Sequence, residues 1–190
     1  MNGRAAAYYQ GKFGLAETTA GLIASLFGLM NIFARSMGGW LGDRFAGKSG
    51  LTGRVRWLVI IMVAEGITLV IFSQMGVLPF AITAMILFSL CVQMAEGATY
   101  SVVPFINKKA LGAITGIVGA GGNVGAVCYA NYLKYKTVGT NVKLHEALPD
   151  VFFLLGIIVA SIGVIGFAIR FSDESEAQAK IEFEKAAAAN

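Results

Sequence analysis

The residues of this chain that could do chemistry lie where charge is least welcome, inside long apolar segments. Arg35 sits in one such segment, about two turns from its basic end, and Glu96 sits near the middle of another. An arginine at the centre of a bilayer costs at least ~2.5–3.5 kcal/mol. On a helix, Phe27, Gly28, Asn31, Arg35 and the Gly38/Gly39 pair share one face. A guanidinium is a planar fork of donors that suits a planar oxyanion. The alternative is a long side chain snorkelling to the headgroups. Beside Glu96, the residues Ser89, Gln93 and Tyr100 form a polar stripe, with Thr99 next to it. A carboxyl group there could carry a proton, or could be a neutral or paired acid that holds two helices together. Glu65 has fewer polar neighbours and reads as structural or interfacial.

A second candidate is a glycine run. Gly112, Gly116, Gly119, Gly121, Gly122 and Gly125 share one apolar segment with Asn123. Each glycine costs a helix about 1 kcal/mol against alanine. In a bilayer that cost is offset where another helix or a substrate comes very close. A dinucleotide loop is excluded, because Gly119 and Gly121 lack the third glycine at the required spacing. An ATP-driven pump is not expected. His145 stands alone in a polar loop, and the cysteines Cys91 and Cys128 lie in apolar segments as small hydrophobes. With no metal-ligand spacing and no nucleophile–base pair, the chain does not read as an enzyme, and no cofactor or metal is expected.

These groups need a membrane scaffold to hold them. Of the 190 residues 56% are hydrophobic and 14% charged, with mean hydropathy +0.69. Soluble domains carry roughly 25% charge. The chain is therefore read as an all-α integral membrane protein. Its pI near 9.1 comes from basic residues between apolar spans, which is membrane topology and not a nucleic-acid footprint. Five spans are expected, near 18–41, 57–78, 79–106, 110–134 and 151–171. Arg44, Lys48, Arg54 and Arg56 lie between the first two, and Lys108 and Lys109 between the third and fourth. The positive-inside rule puts both basic loops in the cytoplasm. It is mildly violated by three lysines in the 134–150 loop, which should be external. Pro104 is expected to help close the third span. The domain reading is an external loop remnant at 1–17, a five-helix region at 18–171, and a polar tail at 172–190 in the cytoplasm. That tail would extend the last helix or be disordered. An odd span count, with a loop-like start, fits a C-terminal piece of a longer transporter.

Three passages carry a family resemblance. The first is Asn31-Ile-Phe-Ala-Arg-Ser-Met-Gly-Gly39, running into Gly39-Trp-Leu-Gly-Asp-Arg-Phe-Ala-Gly47. Its second part is similar to the Gly-x-Leu-Ala-Asp-Arg-x-Gly loop of the major facilitator superfamily. The others are Gln93-Met-Ala-Glu-Gly-Ala-Thr-Tyr-Ser-Val-Val-Pro-Phe105 and the glycine run. Together they resemble the nitrate/nitrite porter family, over roughly 5–171. The resemblance implies a twelve-helix fold in two halves, with the five spans here equivalent to helices eight to twelve. It implies that Arg35 is one of two nitrate-binding arginines, the other lying in the absent N-terminal half. It implies that Gly119, Gly121, Gly122 and Asn123 face the substrate, with Asn31 on the Arg35 face. Gly39, Asp43 and Arg44 fall in the superfamily loop, which acts as a conformational gate. There Asp43 would accept hydrogen bonds from a nearby helix N-terminus and pair with Arg44 or Arg54.

The function expected on this basis is nitrate import across the cell membrane by alternating access, with nitrite as a second substrate. Glu96 is the candidate proton carrier. The expected partners are nitrate or nitrite, membrane lipid, the missing N-terminal half and, as in some family members, a small accessory membrane subunit. Nitrate/nitrite exchange is one alternative. A truncated, non-transporting membrane subunit is the other.

Overall fold

The structure, a computed structural model, describes residues 2–106 and 110–188. Lys108 and Lys109, expected in the second basic loop, lie outside the described residues. The elements are α1 (Asn2–Phe13), α2 (Glu17–Gly47), α3 (Ser49–Gln74), α4 (Leu78–Val102), α5 (Leu111–Lys134), α6 (Leu144–Gly166) and α7 (Asp173–Ala188). A 3-10 turn, Val103–Phe105, closes α4 and contains Pro104, and a π turn, Tyr135–Gly139, continues α5. No strand occurs among the described residues. Helices α2 to α6 are long and apolar enough to cross a membrane, as expected.

The boundaries differ from the sequence reading in four places. The residues between the first two spans are not a loop. Helix α2 continues through Asp43 and Arg44, and α3 already includes Arg54 and Arg56. The break is confined to Ser49 (φ −140°, ψ 21°) and Gly50 (φ 61°, ψ −143°). No proline interrupts 42–56, and the positive φ of Gly50 makes the reversal in one residue. Second, the segment read as a loop remnant forms α1, because Tyr8 and Tyr9 have a core to enter. Third, α6 starts seven residues earlier than expected, at Leu144, with Pro149 accommodated in its second turn. Fourth, the described part of the tail does not extend α6. It forms the separate helix α7, which docks on α3 through Glu176.

One aromatic knot ties an end of the bundle together. Tyr8 and Tyr9 of α1 are fully buried among Phe72 of α3, Phe88 of α4 and Phe152 of α6. The Tyr8 and Phe72 rings lie 5.3 Å apart, and Phe72 and Phe152 5.6 Å apart. The Tyr9 hydroxyl donates to the Ala81 carbonyl at 3.2 Å, so its polar tip is satisfied.

Below the knot the helices meet along small residues. A Cβ added to Gly97 of α4 would run into the Arg35 carbonyl of α2, and one on Gly38 would run into that of Met94. A Cβ on Gly66 of α3 would come within 2.5 Å of the Ala160 nitrogen of α6. Helix α5 is different. The space around Gly112, Gly116, Gly119, Gly121, Gly122 and Gly125 is open, and its most apolar stretch buries none of its residues. So within this chain α1, α2, α3, α4 and α6 form the packed body, and the glycines of α5 are left uncovered.

Two kinds of glycine should therefore respond differently. Gly97→Val should push α4 off α2 and lower the thermal unfolding midpoint of the chain in detergent, since overpacking costs about 1–3 kcal/mol. Gly121→Ala should leave the midpoint unchanged or raise it, alanine being the better helix former by about 1 kcal/mol. Equal losses for both would contradict this packing.

Candidate functional site

The backbone contact at Gly97 brings two of the singled-out residues together. Arg35 of α2 and Glu96 of α4 form an ion pair through Nη2 and Oε1. Their side chains are 45% and 43% exposed, so the pair opens to one side of the packed body. Ala34 and Ala98, flanking it, are fully buried. One turn along α2, Asn31 is exposed on the same face. The polar stripe on α4 splits. The Ser89 hydroxyl donates to the Phe27 carbonyl at 3.0 Å and is buried, whereas Tyr100 is exposed. Gln93 is buried, and its side-chain oxygen has no hydrogen-bond partner among the described residues. Of the two readings of Glu96, the paired acid describes this geometry.

The glycine helix does not reach this pair. Gly119, Gly121, Gly122 and Asn123 are exposed on α5, which touches α6 and the 3-10 turn. Among the described residues, no hydrogen bond or ion pair links Asn123 to Arg35 or Asn31.

At the basic end, Asp43 of α2 accepts from Arg54 Nη2 of α3 at 2.8 Å. Arg54 is the partner, rather than Arg44, which lies over the Trp40 ring instead. The Arg54 guanidinium is 8% exposed, stacks 4.0 Å from the centre of the Phe105 ring, and approaches the Ser101 carbonyl at 3.4 Å. One buried cation thus joins α2, α3 and the end of α4. Trp57 reinforces the same contact by donating Nε1–H to the Gly38 carbonyl at 3.0 Å. A Cβ added to Gly39 would lie 3.8 Å from the Gly97 carbonyl, an ordinary contact.

Among the described residues, the partner of Asp43 is Arg54, and no helix N–H donates to Asp43. The N-terminus of α3 is capped from the tail. Leu51 N–H donates to Glu176 Oε2 at 2.8 Å and Thr52 N–H to Oε1 at 2.7 Å, and the Thr52 hydroxyl also donates to Oε1. A carboxylate on the first free N–H groups of a helix satisfies orphan donors and opposes the helix dipole.

Sequence reasoning missed Glu176, which lies in an acidic segment with nothing to mark its target. It also missed Arg4 of α1, whose guanidinium lies 4.9 Å from the centre of the Tyr129 ring of α5. It passed over one spelling too. Gly42-Asp-Arg-Phe-Ala-Gly-Lys-Ser49 matches the letters of a phosphate-binding loop. That loop needs a preceding strand and a glycine-rich turn whose N–H groups converge, but here 42–47 belong to helix α2. The backbone is not available to cradle phosphate. His145 is near the surface, 3.7 Å from Glu146, and the two free cysteines lie on different helices.

The family model of the Major Facilitator Superfamily matches residues 4–189. The chain is 43% identical over 122 residues to the high affinity nitrate transporter 2.5 of Arabidopsis thaliana, covering 64% of this chain and 24% of that protein. It is 35% identical over 165 residues to the nitrate transporter 2.2 of Chlamydomonas reinhardtii, covering 86% of this chain and 32% of that protein. It is 37% identical over 131 residues to the nitrate/nitrite transporter NrtP of a Picosynechococcus strain, covering 67% and 23%. The chain thus spans about a quarter to a third of the length of these relatives. No solved structure gives a significant match.

Two measurements test the site's geometry. In a double-mutant cycle, Arg35→Gln and Glu96→Gln should each destabilise the chain, and the double variant should recover about 0.5–1 kcal/mol relative to their sum. Strict additivity would mean the pair does not form. Glu176→Gln should weaken the α3 cap by about 0.5–2 kcal/mol and speed tryptic cleavage after Arg56, and an unchanged cleavage rate would refute the cap.

Proposed function

The chain belongs to the Major Facilitator Superfamily, and from that premise we propose that it supplies the C-terminal half of a nitrate transporter working by alternating access. The observation that carries this reading is the Arg35–Glu96 pair, a guanidinium in a membrane-spanning helix held by an acid that an anion can replace. The names of the relatives support nitrate as the substrate, with nitrite as a second one.

The pair suggests how binding is coupled to a proton. Nitrate and the Glu96 carboxylate compete for one planar fork of donors on Arg35. Protonation of Glu96 removes the competitor, so proton and nitrate favour each other's binding, and by linkage the effect is mutual. Uptake needs such coupling, because bringing in one negative charge costs about 2.3 kcal/mol per 100 mV of inside-negative potential. In this reading Asn31 completes the α2 side of the site. Gly119, Gly121, Gly122 and Asn123 line the open face of α5, toward the half that supplies a second arginine. Gly39, Asp43 and Arg44 lie at the cytoplasmic gate. There the Asp43–Arg54 contact and the Glu176 cap close the basic end, and they must break when the site faces inward.

Uptake of labelled nitrate into cells without a nitrate transporter of their own tests this, measured for the transporter in which this chain forms the C-terminal half. At matched surface protein, Arg35→Lys keeps the charge and loses the fork. It should cut uptake at least about tenfold. Glu96→Gln should retain nitrate binding and lose the stimulation of uptake by external acid. Unchanged uptake with Arg35→Lys would remove Arg35 as a ligand. An unchanged pH profile with Glu96→Gln would remove Glu96 from coupling and favour nitrate/nitrite exchange.

A further inference from the structure

A second basic feature lies on other helices. Between the basic ends of α3 and α6 is a cavity of about 160 Å³, with Arg56 and Arg170 on its rim and Val55, Val59, Phe167 and Ile169 in its walls. Its origin is visible in the packing. From Gly66 and Gly156 to Gly163 the two helices run in backbone contact, and a Cβ on Gly163 would lie 3.1 Å from the Val63 nitrogen. At Gly166 helix α6 ends and the chain turns away, with Ile169 N–H donating to the Gly166 carbonyl at 3.2 Å. Leu51, Val55 and Val59 in the first turns of α3 cluster with Ala179 of α7 and with Phe171, and the cavity opens beside them.

Both guanidiniums are exposed, and among the described residues neither Arg56 nor Arg170 forms an ion pair. One acid, Glu176, sits on Thr52 at the cavity's edge. Its two oxygens are already engaged by the Leu51 and Thr52 N–H groups. Among the described residues, the site therefore presents two positive charges without an ion-pair partner over an apolar floor. Its outer flank runs into the exposed isoleucines Ile60, Ile162 and Ile165, which are 45%, 52% and 70% exposed. In a membrane-spanning chain such a face meets acyl chains.

We propose that this cavity binds the headgroup of an anionic phospholipid, with the phosphate between Arg56 and Arg170 and an acyl chain along the isoleucine face. Two separate observations select a lipid over a free ion. The paired guanidiniums suit a phosphate, and the valine, phenylalanine and isoleucine walls suit glycerol and chain carbons but offer a hydrated ion nothing. The cavity lies on helices other than those of Arg35 and Glu96, so it is separate from the proposed transport site.

Native mass spectrometry of the purified chain, equilibrated with equimolar phosphatidylglycerol and phosphatidylcholine, tests the proposal. The wild type should retain phosphatidylglycerol preferentially. Arg56→Gln or Arg170→Gln should each lower the preference about fivefold, and both together about thirtyfold. Removing two exposed charges from the opposite end, Lys134→Gln with Lys143→Gln, should leave it intact. Lack of preference in the wild type, or equal loss in both double variants, would overturn the site. Displacement of the lipid by soluble glycerol phosphate at equal concentration would show a free-phosphate site and overturn the lipid reading. A photoactivatable phosphatidylglycerol added to the wild type gives a test that needs no variant to fold. It should label peptides spanning 51–60 and 166–171, and labelling only elsewhere would overturn the proposal.

Discussion

The close approach of α2 and α4 at Gly38 and Gly97 is the constraint on which the rest of this structure depends. A charge in an apolar span is tolerated only beside a partner. Arg35 and Glu96 come from helices far apart in sequence, and they meet because no side chain keeps the two backbones apart at that level. The same contact leaves the Gly38 carbonyl within reach of Trp57, which links α3 to the seam. The ion pair is thus a consequence of helix spacing, and the spacing follows from residues that have no side chain.

Glycine carries two opposite meanings in this chain. At Gly38 of α2, Gly66 of α3, Gly97 of α4 and Gly156 and Gly163 of α6 it marks contact already made. On α5 the same residue type faces open space, with nothing within 4 Å of the added Cβ at six positions. A helix bearing six glycines forgoes roughly 1 kcal/mol at each relative to alanine. A packed surface offsets that cost, and among the described residues none covers these glycines. The uncovered face of α5 and the half-exposed Arg35–Glu96 pair are therefore the two surfaces where the chain is incomplete by its own packing logic. Both fit a transporter built from two halves that close on a substrate between them.

Much of this was legible in the sequence, for physical reasons that can be named. The five spans follow from length and apolar content, and Arg35, Glu96 and Asp43 stand out because charge in or beside such spans is costly. The partners were not legible. Spacing says that Asp43 has two arginines nearby, and only the fold shows that Arg54 is the one turned inward over Phe105. Helix α1 was hidden because its twelve residues are too few for a span, and its mix of Asn2, Gly3, Arg4, Gln10, Gly11 and Lys12 with small residues is that of a loop. Its identity lies in Tyr8 and Tyr9 finding Phe72 and Phe152, a contact across the whole chain. The phosphate-loop spelling at 42–49 shows the converse, a motif whose letters are right and whose backbone is helical.

The basic end gathers three devices on one short break. Ser49 and Gly50 interrupt the helix, Glu176 caps the first turn of α3, and Arg54 bridges α3 to Asp43 and the end of α4. The last two are polar contacts, and the Glu176 cap is worth only about a kilocalorie or two. The aromatic knot at the other end is apolar and buried, and it has no comparable alternative partners in water. Contacts that are polar and exchangeable are the ones least costly to break, whereas the knot holds α1, α3, α4 and α6 together by apolar burial. On the proposed transport reading, the end that must open toward the cytoplasm is the end held by contacts that water, a lipid phosphate or a second carboxylate can replace.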